Sequence, residues 1–172
     1  MNKNLKGFRP DFILREAAIE DSEYIAQNIV DMSLHIKSTA SDIYIDGLPS
    51  SIDDRVKDFA SLYIGCPDSI TYVYEINGAR VGCIAAKIED SAFSACGIGT
   101  VGNIAICWVA PEHRKNGIAS SLVSKVENWF SSNGVMVVEL SYLAQNSLAS
   151  EAWSHLGYSP FRVFSHKVLE NA

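Results

Sequence analysis

The sequence has no apolar run near the roughly 20 residues that a membrane-spanning helix requires, so a membrane is not expected among its partners. Met1 to Asp11 is polar and basic, with Lys3, Lys6 and Arg9 and no apolar h-region. A secretory leader is not expected there, and residues 1–11 read as a loose tail. Cysteine is sparse: Cys66, Cys83, Cys96 and Cys107 form no C-x-x-C pair and no Cys/His group at zinc-like spacing. A metal is therefore not expected. Nor does the spacing suggest the disulfide framework of a secreted domain, so the thiols read as core residues in a reducing cytosol and the protein as cytoplasmic. Clustered Lys and Arg are also missing. Lys and Arg number 14 against 20 Asp and Glu, a net charge of −6, which disfavours nucleic acid and suits a cationic substrate. There is no internal repeat and no low-complexity stretch.

What is present fits one soluble globular domain over residues 1–172, with 48% hydrophobic and 20% charged residues. Phe12 to Ala18 predicts a short strand that ends at Glu20-Asp21, acids suited to a helix start. Tyr24, Ile25, Ile29, Met32 and Ile36 recur at helical spacing. From Lys37 to Ser51 the periodicity fades into a loop, and Asp53 to Ile64 predicts a second helix closed by Gly65 and Pro67. Ile70 to Ile76 and Arg80 to Ile88 read as a hairpin about the Asn77-Gly78 turn. Ser91 to Gly102 is small and flexible in character. Asn103 to Ala110 is nearly all apolar, as in a strand buried on both faces. After a polar loop, Ile118, Leu122, Val126, Trp129 and Phe130 mark a helix stopped at Ser132-Asn133-Gly134. Val135 to Leu143 reads as a strand, Leu148 to Leu156 as a helix, and Phe161 to Leu169 as a last strand.

The expected fold is thus α/β (α+β) in the order β-α-α-β-β-β-α-β-α-β. A central mixed, mostly antiparallel sheet is flanked by helices on both faces.

Chemistry concentrates at Trp108 to Ala119, where an apolar strand, a short polar loop and a helix opening at Gly117 follow one another. The first N–H groups of a helix have no partner inside it, and with the dipole they form an anion site. Gly117 and Ala119 keep the turn open to a phosphate, and Arg114 and Lys115 add positive charge. An apolar strand leading into such a site suits a ligand with a polyanionic end and a long neutral arm.

Arg114-x-x-Gly117-x-Ala119 resembles the R/Q-x-x-G-x-G/A signature of the GNAT superfamily of N-acetyltransferases, as do the preceding Val109-x-Pro111 and the following Leu122. Downstream, Asn146-x-x-Ala149, Trp153 and Leu156-Gly157-Tyr158 resemble the family's N-x-x-A-x-x-x-Y-x-x-x-G-F segment. The likeness covers about Phe12 to Leu169. It implies that acetyl-CoA lodges between strands Ile104–Val109 and Val135–Leu143, which splay apart. The pyrophosphate would rest on the amides of Arg114, Lys115, Asn116, Gly117, Ile118, Ala119 and Ser120. The pantetheine arm would run beside Trp108 and Val109, with Asn146 reaching it from the other side unless that residue only caps a helix. The resemblance also makes the Val109 N–H the oxyanion donor, and dimers are common among family members.

Transfer needs a neutral amine, yet at a pKa of about 10.4 only roughly one alkylammonium in a few thousand is neutral at pH 7, so a base or a desolvating site is required. Many family members carry a carboxylate on the strand matching Asn103–Val109, and this chain has none. Glu139, in an otherwise apolar strand, is the base candidate, the alternative being a solvent-facing side chain. Where the family's acid is Tyr this chain has Trp153, which donates but cannot deliver a proton to a thiolate, so Trp153 reads as a packing wall for the arm or the core. Tyr142 is the remaining acid candidate. His113 reads as solvated, while His35, Asp42, Asp46, Asp53 and Asp54 lie where the family shapes its acceptor site.

The expected activity is transfer of acetyl from acetyl-CoA to a primary amine of a small molecule or peptide, by direct attack in a ternary complex. The alternatives are a non-catalytic acyl-CoA-binding module and a protein N-terminal or lysine acetyltransferase. The loop lacks the G-x-x-x-x-G-K-[ST] spacing of a nucleotide-binding P-loop.

Overall fold

The computed structural model describes residues 11–91 and 97–168. The proposed tail at 1–10, Cys96 and Leu169 lie outside them. Two compact units divide the chain, Met1–Ser141 and Tyr142–Ala172.

The first unit holds a five-stranded sheet in the order β1-β2-β3-β4-β5. Its strands are β1 (Phe12–Glu16), β2 (Ser69–Ile76), β3 (Ala79–Asp90), β4 (Thr100–Val109) and β5 (Val138–Leu140). The first four pair antiparallel, and β4 with β5 is parallel. Helices α1 (Ser22–Thr39) and α3 (Asp54–Ser61) follow β1, and α4 (Ile118–Ser132) joins β4 to β5. The hairpin turn is as its residues require, with φ of 51° at Asn77 and 78° at Gly78, the two left-handed positions of a type I′ turn.

Each sheet face carries its own core. On one, Ile25, Ile29 and Val30 of α1 and Val56 and Ala60 of α3 pack with Val73, Cys83, Ala85, Ile106 and Trp108. On the other, α4 buries Leu122, Val123, Val126 and Phe130 almost completely. Each such side chain contributes about 1.5–3 kcal/mol.

The structure departs from the sequence reading in four places. Strand β4 already begins at Thr100, within the stretch Ser91 to Gly102 that read as small and flexible. The stretch at 37–51 contains a one-turn helix, α2 (Ile43–Asp46), started by Asp42, whose carboxylate accepts the Tyr44 N–H at 2.9 Å. Strand β5 covers only part of Val135–Leu143, because the Val135 N–H turns back to the Phe130 carbonyl (3.0 Å) and Gly134 N–H to Ser131 (3.1 Å), closing α4 in a Schellman motif. The predicted last strand at Phe161–Leu169 is not formed over 161–168, where Phe161, Val163 and Phe164 are exposed. Its alternation is suited to a ladder, but alternation does not supply a partner edge.

A buried carboxylate ties the start of α1 to the sheet. Asp21, 2% exposed, receives two bonds from the Arg15 guanidinium (2.6 and 3.0 Å), one from Arg80 (3.2 Å) and the Ala18 N–H (2.9 Å). Arg15 also grips Glu75 of β2. The Arg15 hydrogen bonds, outweighing burial, hold the Asp21 carboxyl at about 2, below the usual carboxylate range. A group held low stabilises the fold fully above its ordinary pKa, and that share fades as pH falls through its folded value. We expect Asp21→Ala to lower unfolding free energy by about 3 kcal/mol, since it leaves two guanidinium groups without their shared partner. Asp21→Asn should flatten the loss of stability between about pH 4 and pH 2 that the unaltered protein shows in urea titrations.

Candidate active site

Strand β4 carries one residue more than its neighbour. Ala85 pairs with Ile106 and Ala86 with Ile104, so Ala105 is a β-bulge. A bulge bends its strand and flips the alternation beyond it. Before it Gly102 faces α4, since a Cβ there would meet the Phe130 ring; beyond it Ile106 and Trp108 lie in the α1 core. The rungs between β4 and β5 stop at Ile104–Leu140, while β4 runs on to Val109. The two strands are therefore not paired along their whole length.

The register shows what that leaves exposed. Ala110 N–H bonds to the Val81 carbonyl at 2.9 Å, and bonded rungs alternate in an antiparallel ladder. The Trp108 backbone is thus turned to β3. The N–H and C=O groups of Cys107 and Val109 point the other way, along the edge that β5 does not reach. The Val109 carbonyl is taken by the Arg114 Nε at 2.9 Å, and its N–H remains on the open side.

Beyond the strand, a 3₁₀ turn at Pro111–His113 leads into two left-handed residues, Lys115 (φ 63°) and Gly117 (φ 77°). The Asn116 side chain closes this loop on the His113 carbonyl at 3.2 Å. Gly117 is the N-cap of α4 and offers no side-chain cap, so the amides of Ile118, Ala119 and Ser120 open outward without a protein acceptor of that kind. No atom lies within 4 Å of where a Gly117 Cβ would stand. Left-handed residues beside free helix amides form an anion-binding concavity, and this one is open. Lys115 is exposed beside it.

Arg114 serves a different end from the one its charge suggested. Besides its bond to Val109, its guanidinium lies 4.7 Å above the Trp108 ring. Burial lowers its pKa, but a guanidinium stays charged. The side chain clamps the loop to the strand end. On the α1 side of Trp108, the His35 ring meets the indole edge-on with centroids 6.3 Å apart, and its Nε2 is enclosed without a hydrogen-bond partner. Sequence reading placed His35 only in a region; an aromatic contact across elements leaves no local signal.

Glu139 lies opposite Asn103, one rung from the last pair, half-buried and on the α1 side of the sheet. Its side chain makes no hydrogen bond or ion pair among the described residues. A second carboxylate, Glu89, escaped the sequence reading because it sits on β3. Asn103 Nδ2 and the Lys87 ammonium both bond to it at 2.5 Å, so its lone pairs are occupied. Cys107 is half-buried, and desolvation pushes its thiol up to about 12. Of the loop acids, Asp53 caps α3 through Val56 N–H (3.0 Å) and pairs with Arg55, so it and Asp42 serve as helix starts.

The remaining predicted residues belong to the second unit. Tyr142 is half-buried there. Helix α5 (Ser147–His155) is capped by Asn146, whose Oδ1 accepts the Ala149 N–H at 3.1 Å. It ends in another Schellman motif, with Tyr158 N–H on the Trp153 carbonyl and Gly157 N–H on Ser154. The Trp153 and Tyr158 rings meet at 5.2 Å, the apolar contact that accompanies this motif.

The Acetyltransferase (GNAT) family model matches residues 38–158. Among solved structures, an aminoglycoside N-acetyltransferase AAC(6')-Iy in complex with CoA superposes with a TM-score of 0.72 at 16% identity, over 95% of this chain and 99% of the other. A GCN5-related N-acetyltransferase from Ralstonia eutropha gives 0.72 at 19% identity, covering 92% and 99%. An acetyltransferase from Clostridium acetobutylicum, solved with acetyl-CoA, gives 0.70 at 16%, covering 92% and 96%. No curated protein sequence matches.

The clamp makes a prediction of its own. Arg114→Lys should cost about 1–2 kcal/mol in denaturant unfolding although the charge is kept, because an ammonium reproduces neither the stacking nor the directed Nε bond. A variant as stable as the parent would show the clamp to be idle.

Proposed function

The chain belongs to the GNAT acetyltransferase family, and from that premise we propose that it transfers an acetyl group from acetyl-CoA to a primary amine by direct attack in a ternary complex. The observation that carries this reading is the open edge of β4 beyond Ala105, ending at an open cradle of amides. The residues fit the coenzyme at both ends. The pyrophosphate meets the amides from Arg114 to Ser120, with Lys115 beside them. The pantetheine arm runs along the free edge of β4 and its amides pair at Cys107, as a third strand would, which leaves the Val109 N–H for the reacting carbonyl. Trp108 contributes its ring rather than its backbone, as a wall on the α1 side. By family resemblance, Asn146 and Trp153 are the further candidates for contacts to the arm.

The chemistry then needs little from the protein. The amine loses its proton to Glu139, the carboxylate with unoccupied lone pairs. Its nitrogen attacks the thioester carbonyl, and an amide of the β4 edge, Val109 in the first instance, stabilises the developing oxyanion. The coenzyme sulfur leaves as a thiolate, whose pKa of about 8.5 makes an acid helpful but dispensable; Tyr142 is the donor of choice. The desolvated Cys107 thiol, held in its neutral form, argues against an acetyl-enzyme. The acceptor is a small-molecule or peptide amine, and the net charge of −6 favours a cationic one. The protein works in the cytoplasm as a single domain over residues 1–172, monomeric or as the homodimer common in the family.

Calorimetry with CoA tests the site. The unaltered protein should bind one equivalent, and Gly117→Glu should abolish binding while circular dichroism stays unchanged, because the carboxylate fills the cradle and repels the diphosphate. Equal affinity in the variant would remove the loop from the site. Thiol release from acetyl-CoA across an amine panel separates a transferase from a module that only binds. In such an assay Glu139→Gln should lower kcat about 100-fold at unchanged CoA affinity and erase the acidic limb of the pH–rate profile. Cys107→Ala should keep full turnover, whereas a covalent route predicts its loss.

A further inference from the structure

The coenzyme site proposed above depends on the spacing of two parts, the end of β4 and the first turn of α4. One residue outside the loop touches both. Gly82 of β3 is buried opposite Val109. A Cβ built there would stand 3.0 Å from the Trp108 carbonyl oxygen and 3.4 Å from a γ-methyl of each of Ile118 and Val109. Ile118 is the first residue of α4 and only 3% exposed, so its side chain is the peg on which the helix start rests.

We propose that Gly82 is a positioning residue for the coenzyme, a notch in β3 that lets Val109 and Ile118 seat together and thereby sets the distance from the strand-edge amides to the cradle amides. The proposal rests on the acetyl-CoA reading. Gly82 has no unusual backbone angle that would demand glycine. The requirement is one of close approach. Of its three neighbours the Trp108 oxygen has least freedom, being bonded in the β3–β4 ladder. A methyl group must therefore be accommodated by moving Val109, Ile118 or both. Shifts of a few tenths of an ångström hardly disturb a core, but they separate two sets of donors that must meet one ligand simultaneously.

The molecule supplies its own control. Gly102 is the other glycine packed against α4, and a Cβ there would lie 2.6 Å from Phe130 at the far end of that helix. Gly102→Ala perturbs the same sheet–helix interface more severely and away from the site. The test is titration calorimetry with CoA on the full chain, alongside urea unfolding. Gly82→Ala should weaken CoA binding at least tenfold, and Gly102→Ala should stay within twofold of the parent while losing at least as much stability. If Gly82→Ala binds within twofold, or if both variants weaken binding in proportion to their stability loss, Gly82 is an ordinary packing residue and the proposal falls. If the unaltered protein does not bind CoA, the coenzyme reading fails first. Should Gly82→Ala not fold, the double variant Gly82→Ala/Ile118→Ala takes its place, compared with Ile118→Ala. At least fivefold weaker binding in the double variant, through the remaining Trp108 and Val109 contacts, supports the notch, and equal binding overturns it.

Discussion

Backbone amides in a sheet want partners, and the described sheet withholds them from one stretch of β4. The withholding has a local cause, the additional residue Ala105 between two otherwise regular registers. The bulge sits immediately beyond the last rung with β5, so the bend and the end of pairing coincide. Everything else in the first unit presumes that edge. The core under α1 needs Ile106 and Trp108 turned inward, which the flip in alternation provides. The core under α4 keeps Gly102 and its tight contact with Phe130 on the unflipped side. One inserted residue thus satisfies two cores while leaving a ladder open between them.

How much of this could be read beforehand varies with the range of the forces involved. Local chemistry was plain: the Asn77-Gly78 turn, the Asp53 cap and the glycine stops at Gly134 and Gly157 each act within a few residues and carry recognisable letters. The strand, 3₁₀ turn and glycine-opened helix from Trp108 to Ala119 were legible because they stand side by side in the chain. The bulge was not, since Ile104 to Ala110 is apolar throughout and gives no parity from which to count. Helix α2 is too short for periodicity to reveal. The strand expected at Phe161–Leu169 is not formed over 161–168, because pairing is decided by an edge elsewhere and not by residue type alone. Contacts between elements, such as His35 with Trp108 or Asn103 with Glu89, lie beyond any reading of neighbours in sequence.

Arg114 shows how a motif letter and its structural task can differ. A loop arginine beside an anion site suggests direct charge pairing. Here its Nε is bonded to Val109 and its plane lies on Trp108, so its geometry is fixed from the strand side. The field of the guanidinium still reaches the cradle, since burial weakens screening. Its stronger effect is mechanical: it occupies the Val109 carbonyl, leaving the N–H as that residue's free group on the open edge. A donor-only edge at this point matches an oxyanion better than an edge of mixed polarity.

The carboxylates can be ranked by the same accounting of hydrogen bonds. Asn103 occupies the strand on which family resemblance led us to look for an acid. Instead of leaving a gap, it donates to Glu89, which Lys87 also holds. Both oxygens of Glu89 are thus already engaged within the sheet. Glu139, on the rung opposite Asn103, has no such donors among the described residues, and it lies where pairing gives way to the open edge. An unengaged carboxylate and a place beside the open edge therefore fall on the same side chain, on β5 rather than β4. With the base proposed on β5 and not on β4, a different side of the amine must face it. The acceptor would then approach across the α1 face of the sheet, past Trp108, where the only enclosed side-chain nitrogen or oxygen without a partner among the described residues is His35 Nε2.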